Sequence, residues 1–395
     1  MTTPDSLRFD APAAPVLEAV EAVVEQAINE QRLVGTVVLV ARDGQLVHQQ
    51  AAGFADREEQ RAMTVDTIFR LASVSKPIVS TAALVLVARG QLQLDDSVEQ
   101  WLPEFKLHLA DGRPAQVTLR QLLSHTAGLS YGFLEPDPRQ GPYAKAGVSD
   151  GLDGADISLA ENLRRIASVP LLFEPGTSWC YSVATDVLGA LIERVCGKPL
   201  DVAIRQLVCE PLEMRDTAFY LRDSQRLATP YLNAVGEPHR LREGEKAATG
   251  VGEAAVTFSP ARIFNPLAFP SGGAGMAGTA TDVMRLLEAL RQRTGGLLSD
   301  ELITQMGQDQ TGGLTAPDSP GFGFGLGFSV LRDPALAQSP AAPGTWRWGG
   351  VYGHSWFVDP ARRLSVVALT NTLYEGTSGR FVNALRDAVY TRSAR

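Results

Sequence analysis

The sequence predicts an α+β fold, with an antiparallel sheet flanked by helices and a second, mainly helical domain. Three observations predict it. A helical stripe followed by a hairpin pattern opens the chain. Strand patterns separated by turn residues return from about residue 320 onward. Between these ends, residues from about 91 to 270 read as helices and long polar loops. Sequential strands with short connections favour antiparallel pairing. The simplest assembly places the hairpin and the C-terminal strands in one sheet. Residues 1–90 and 270–395 are then expected to form the sheet-bearing domain, and residues 91–269 the helical one. The default place for a ligand is the cleft between them.

Each element has its own reason. Val16, Val20, Val23, Val24 and Ile28 lie close to helical spacing within Pro15–Glu30. Gly35–Arg42 and Gln45–Gly53 flank Asp43-Gly44, a pair suited to a hairpin turn. Ser75–Arg89 is an apolar-rich helix closed by Gly90. Residues 160–168 and 183–196 read as helices, and Gly197 stops the second. Residues 221–265 carry Pro and Gly without a clear period and receive no assignment. Ala280–Gln292 reads as a helix capped by Thr279 or Thr281. Phe324–Leu331, Thr345–Asp359 and Leu364–Thr372 read as strands, and Phe381–Thr391 as a closing helix. The Gly-Phe-Gly-Phe-Gly-Leu-Gly run at 321–327 reads as alternating strand.

Composition excludes several function classes. The chain has 395 residues, 45% of them apolar and 20% charged, which suits a globular protein. Its 36 basic and 44 acidic residues give a net charge of −8 without a basic run, so no nucleic-acid partner is expected. Cys180, Cys196 and Cys209 are too few and too irregular for a disulfide framework or a zinc site. Cys196 and Cys209 sit in apolar helical patterns and are expected as buried thiols. No H-E-x-x-H, C-x-x-C or carboxylate loop indicates a metal, and no cofactor is expected. The first residues lack a leader pattern and Ile78–Ala88 is too short to span a bilayer, so no membrane partner and a cytoplasmic location are expected.

Two serines compete as nucleophile. Gly147-Val-Ser149-Asp-Gly151 matches G-x-S-x-G, but that motif works only at a sharp strand-to-helix turn. Neither a strand before it nor a helix after it is present, so Ser149 is assigned to a surface loop. Ser73-Val-Ser-Lys76 opens an apolar helix, which puts its ends on one face. A serine hydroxyl needs a base. Burial and the positive end of a helix both disfavour an ammonium, so Lys76 can serve as that base.

Two further segments offer supporting groups. Tyr181, in the loop Gly176–Ser182, is a candidate second proton-transfer group. Trp348-Gly349-Gly350-Val351 places consecutive glycines in a strand, where a backbone or substrate can approach. The Val351 N–H after them, with the N–H of Ser73, is a candidate oxyanion hole. His125 and His354 lack a matched serine and carboxylate and are expected to be structural.

Taken together, Ser73–Lys76, Leu122–Leu129, Phe173–Ser182, Gly272–Gly278 and Trp348–Gly350 follow one another in the order seen in serine β-lactamase-like proteins. The sequence most resembles the family VIII carboxylesterases of the bacterial EstB type, over about residues 15–390. The resemblance implies the serine β-lactamase/D,D-peptidase-like fold. It implies Ser73 as acylated nucleophile, Lys76 as base and Tyr181 as the group that serves leaving alcohol and water. It also implies Ser73 and Val351 as oxyanion donors, and a small-molecule ester as substrate. Trp348, Gly349, Gly350, Tyr131, Phe133 and Asp186 are expected to line the pocket. Two departures separate the chain from penicillin-recognising relatives. Trp348 stands where they carry Lys or His, and Val183 stands where they carry Asn. Both point toward neutral esters, with a β-lactamase, D,D-peptidase or acyltransferase as the alternative. Arg347 alternates to the other face of its strand and is not expected to replace the missing cation.

Overall fold

A helix, α1 (Val16–Asn29), leads into β1 (Gly35–Arg42) and β2 (Gln45–Asp56), with the short β3 (Arg61–Ala62) beside β2. The Asp43-Gly44 turn has both residues at positive φ, 55° and 87°, as the hairpin requires. Further helices are α2 (Ser75–Ala88), α3 (Ala184–Cys196), α4 (Ala280–Gln292) and α5 (Arg380–Tyr390). The remaining sheet strands are β4 (Phe322–Phe324), β5 (Ser329–Leu331), β6 (Trp346–Gly350), β7 (His354–Asp359) and β8 (Leu364–Thr370). This computed structural model describes residues 16–391 except 136, 138–139, 234–236, 249–254 and 315–318.

The eight strands form one antiparallel sheet in the order β4-β5-β6-β7-β8-β1-β2-β3. The N-terminal hairpin therefore joins the C-terminal strands through the β1–β8 pairing, Val38 opposite Ala368. β1 reads Gly-Thr-Val-Val-Leu-Val-Ala because it is central and buried on both faces. Val38 and Val40 pack under α1 and α5 with Val20, Val24, Phe381 and Leu385. Val37 and Leu39 face the opposite side and the main core. That core runs without a break through α2 into residues of the 92–214 segment, such as Leu122, Leu163, Val187 and Leu207.

Helix α2 is apolar-rich, and Ser75 to Leu86 are buried without exception. Such a helix belongs in the middle of a protein. A 3₁₀ turn, Ala72–Val74, precedes it. Ala72 has φ 45°, a left-handed conformation that costs a non-glycine residue free energy. The strand pair Ile68–Arg70 with Ala277–Thr279, and the bond from Leu71 N to Met276 O (2.8 Å), pin this turn against the Gly272–Gly278 loop. Thr279, not Thr281, caps α4, its side chain accepting from Asp282 N.

Several expectations need correction. Phe324–Leu331 is not one strand. Gly325 N donates to Phe328 O (2.8 Å) and Gly327 has φ 110°, so the run folds back as the β4–β5 hairpin. A side chain at Gly327 would meet Ser80 at 2.5 Å, so this glycine is there for close approach as well as for the turn. Thr345–Asp359 divides into β6 and β7 around residues 351–353 for a related reason: Gly353 has φ 112°. Residues 221–265 contain the short pairs Tyr231–Leu232 with His239–Arg240 and Glu245–Ala248 with Ala255–Phe258. Cys209 is buried, but Cys196 near the end of α3 is half-exposed, and all three cysteines are free. Among the described residues no helix is long and apolar enough to cross a membrane.

Candidate active site

Ser73 sits in the turn ahead of α2, and Lys76 occupies the second position of that helix. Lys76 Nζ donates to Ser73 Oγ at 3.2 Å and to the Gly273 carbonyl at 2.8 Å. Ser73 Oγ lies 2.6 Å from Tyr181 Oη. One hydroxyl is thus bracketed by an amine and a phenol. Lys76 is 1% exposed. Burial lowers its pKa to about 7, against the opposing pull of Asp186 and Asp150. At neutral pH a substantial fraction of Lys76 is therefore a free amine, which the task of a base demands. Burial pushes the Tyr181 phenol well above its ordinary value, so it holds its proton.

The loop before α3 is anchored where Tyr181 needs it. Cys180 N donates to His125 O (3.0 Å), and Val183 N donates to Ser130 O (3.2 Å). The Tyr181 ring meets His125 edge-on at 5.0 Å and Trp348 at 5.3 Å between centroids. Trp348 also stands perpendicular to Phe324 at 5.1 Å. These aromatic contacts fix the plane of the phenol.

β6 needs its two glycines for clearance. A side chain at Gly350 would stand 2.3 Å from the Leu71 carbonyl, and one at Gly349 would stand 2.5 Å from the His354 carbonyl. Without side chains there, the strand runs against the nucleophile's turn, and Val351 follows directly after it. Arg347 lies on the opposite face, its guanidinium 3.4 Å above the Phe322 ring. It supplies no cation beside Trp348.

The rejected candidates have structural work. Ser149 Oγ donates to Asp153 Oδ1 (2.6 Å) and accepts from Gly151 N (3.1 Å). It is 1% exposed, so it staples a buried loop and is not on the surface. His125 Nδ1 pairs with Ser182 Oγ at 3.0 Å, and burial holds the ring neutral. His354 Nε2 donates to Arg70 O at 2.7 Å, and burial lowers its pKa to about 4.

Tyr131 and Phe133 stack at 4.5 Å and line a cavity of about 140 Å³ with Asp150, Asp153 and Val183. The two carboxylates carry no motif in sequence, because they sit in an irregular loop. Asp186 departs from the expectation. It is fully buried, with Oδ1 accepting from Ser271 Oγ (2.7 Å) and Gly273 N (3.2 Å), so it faces the glycine loop and not open space. The Gly273 carbonyl, a partner of Lys76, gave no signal of its own because it is backbone. The glycine run Gly272–Gly278 was its only trace.

A nucleophile turn, a buried lysine and a loop tyrosine on an antiparallel sheet invite comparison with known proteins. Residues 20–391 match the Beta-lactamase family. The chain belongs to the β-lactamase family. Esterase EstB of Burkholderia gladioli is 51% identical over 389 residues, covering 98% of each chain. The solved structure of EstCE1, described as a hydrolase with promiscuous acyltransferase activity, is 45% identical with a TM-score of 0.92 over 95% of this chain and 98% of that one. Unliganded simvastatin synthase from Aspergillus terreus shares the fold at 23% identity, with a TM-score of 0.73 over 96% and 98%. The β-lactamase-family fold accounts for the antiparallel sheet flanked by helices.

Proposed function

We propose that this β-lactamase-family chain is a serine carboxylesterase acting on short-chain acyl esters. The observation that carries the reading is the Ser73–Lys76–Tyr181 constellation, with its contacts of 3.2 and 2.6 Å. Ser73 Oγ attacks the ester carbonyl as Lys76 Nζ takes its proton. The N–H groups of Ser73 and Val351 receive the oxyanion. Tyr181 passes a proton to the departing alcohol, and the acyl group stays on Ser73. Water activated through Lys76 and Tyr181 then releases the acid and restores the serine.

Trp348, Tyr131 and Phe133 supply apolar walls to a site between the sheet and the helical segment, and Gly349 and Gly350 supply clearance. No cation stands at position 348 to bind a carboxylate, which favours neutral esters over β-lactams and D-Ala peptides. Acyl transfer to an alcohol uses the same acyl-enzyme. The solved hydrolase at 45% identity, with its promiscuous acyltransferase activity, supports keeping it as a second reaction. The cytoplasmic location expected from sequence is a matter for cell fractionation.

The test is initial-rate hydrolysis of p-nitrophenyl acetate through dodecanoate, with nitrocefin in parallel, on wild type and Ser73→Ala. Short-chain ester turnover that disappears in Ser73→Ala is expected. Undiminished turnover in that variant, or nitrocefin turnover without ester turnover, overturns the reading.

A further inference from the structure

Asp186 is the one buried carboxylate beside Lys76 whose second oxygen, Oδ2, has no hydrogen-bond partner among the described residues. Its first oxygen is occupied by Ser271 Oγ and Gly273 N. The free oxygen and the base both lie beside Gly273. A methyl placed on Gly273 would stand 3.2 Å from Asp186 Oδ2, 3.2 Å from Tyr131 Oη and 3.5 Å from Lys76 Nζ. Three polar atoms thus converge on one side-chain-free Cα. Gly273 is itself bonded twice within this group, its N–H to Asp186 and its carbonyl to Lys76. Leaving a buried acceptor unpaired costs free energy. Burial raises the Asp186 pKa, the hydrogen bonds from Ser271 and Gly273 and the charge of Lys76 oppose that rise, and a positive charge gained by Lys76 would offset the cost of the unpaired oxygen.

We propose that Asp186 is a positioning residue for the proton acceptor: its free carboxylate oxygen stabilises the ammonium that Lys76 becomes on taking the Ser73 proton. The inference rests on the reading of Lys76 as base. In the step concerned, the Ser73 Oγ–H bond breaks, its proton moves to the Lys76 Nζ lone pair, and Oγ bonds to the ester carbonyl carbon. The nitrogen gains a positive charge in a place remote from water. Asp186 answers that charge across Gly273 while its other oxygen holds the loop still.

The surroundings of the pair are few. Lys76 faces the rings of Tyr131 and Tyr181 at 5.4 and 4.7 Å, and feels the carboxylate of Asp150. His125 is near enough to feel Lys76 and stays neutral. Arg262 acts on Asp186 at longer range, because its own guanidinium donates to the carbonyls of Asp153 (3.1 Å) and Phe269 (2.8 Å).

The test is the pH profile of kcat/KM for p-nitrophenyl butanoate in wild type and Asp186→Asn. Asparagine keeps the oxygen that Ser271 and Gly273 use and replaces only the free one. Removing a negative charge beside Lys76 lowers the lysine's pKa. The acid limb is therefore expected to move down by about one pH unit, and the plateau to fall about tenfold with KM little changed. Asp186→Glu keeps the charge and is expected to hold the limb near its wild-type position even where kcat falls. A limb that stays put in Asp186→Asn, or moves equally far in Asp186→Glu, overturns the proposal. A failure of the esterase reading looks different, because Ser73→Ala would then be as active as wild type, or the wild type would not turn over p-nitrophenyl butanoate at all.

Discussion

At the scale of the residue, Lys76 carries a large electrostatic burden, since its ammonium is buried. Its ordinary pKa near 10.4 falls to about 7 because burial removes water from the ammonium. The sign of the consequence can be worked out. The unfolded chain binds this proton up to about pH 10.4, whereas the folded chain releases it near 7. Folding stability therefore declines as pH falls through that window, and the loss is nearly complete at pH 7. Replacing the group removes this cost. The linkage is worth about 4 kcal/mol at pH 7, and the Gly273 carbonyl left without its donor takes back about 1, so Lys76→Met is expected to raise stability there by about 3 kcal/mol, read from the denaturant midpoint. The same change is expected to lower ester turnover by about 10² to 10⁴, the usual contribution of a positioned base. A variant that loses stability would mean that the Gly273 hydrogen bond outweighs the burial of the amine.

At the scale of the element, β6 and the turn before α2 act as one unit. The strand approaches the turn only because Gly350 has no side chain to set against the Leu71 carbonyl, 2.3 Å from where a Cβ would stand. Thr377 Oγ1 also bonds the Gly350 carbonyl and closes the strand from behind (2.5 Å). Gly350→Ala must therefore push β6 away from Ser73. The expected result is a loss of about 100-fold in kcat, since ångström-scale displacement of a positioned group has that cost. A destabilisation of about 1–3 kcal/mol should accompany it, the range for overpacking. Equal activity in Gly350→Ala would show that the donor after β6 takes no part.

The same elements show what a sequence can and cannot disclose. The β1–β2 hairpin, α2 and α4 were legible because their causes are local: a turn pair, an apolar run, a cap. The β4–β5 hairpin was not, because glycine at alternate positions fits a strand pattern while also permitting the turn that forms. In the site, Ser73 and Lys76 were visible as spacing on a helix, and Tyr181 became persuasive only through the resemblance. Asp186 was singled out but placed on the pocket wall. Its burial depends on the Ser271–Gly273 loop folding back over α3, a contact between residues 85 positions apart in the chain.

At the scale of the whole molecule, the helical segment and the sheet share their interior. Val37 and Leu39 of β1, Ile78 and Leu84 of α2, and Leu122, Val187 and Leu207 of the inserted segment belong to one apolar cluster. A domain that folds alone needs a core of its own. We propose that the division at residues 91 and 269, expected from the order of helical and strand patterns, is one of chain order more than of independent packing. Cutting there would expose the faces of α3 and its neighbours that α2 now covers, and no new burial would offset the entropy of ordering them. A fragment of residues 91–269 produced alone is expected to show no cooperative unfolding transition by circular dichroism in urea. A sharp transition would establish that the segment packs by itself and that its contact with α2 is a docking of two preformed parts. The expected outcome has a consequence for the site. Tyr181 enters from this segment and Ser73 from the turn before α2, so the 2.6 Å contact between them forms only when the shared core closes.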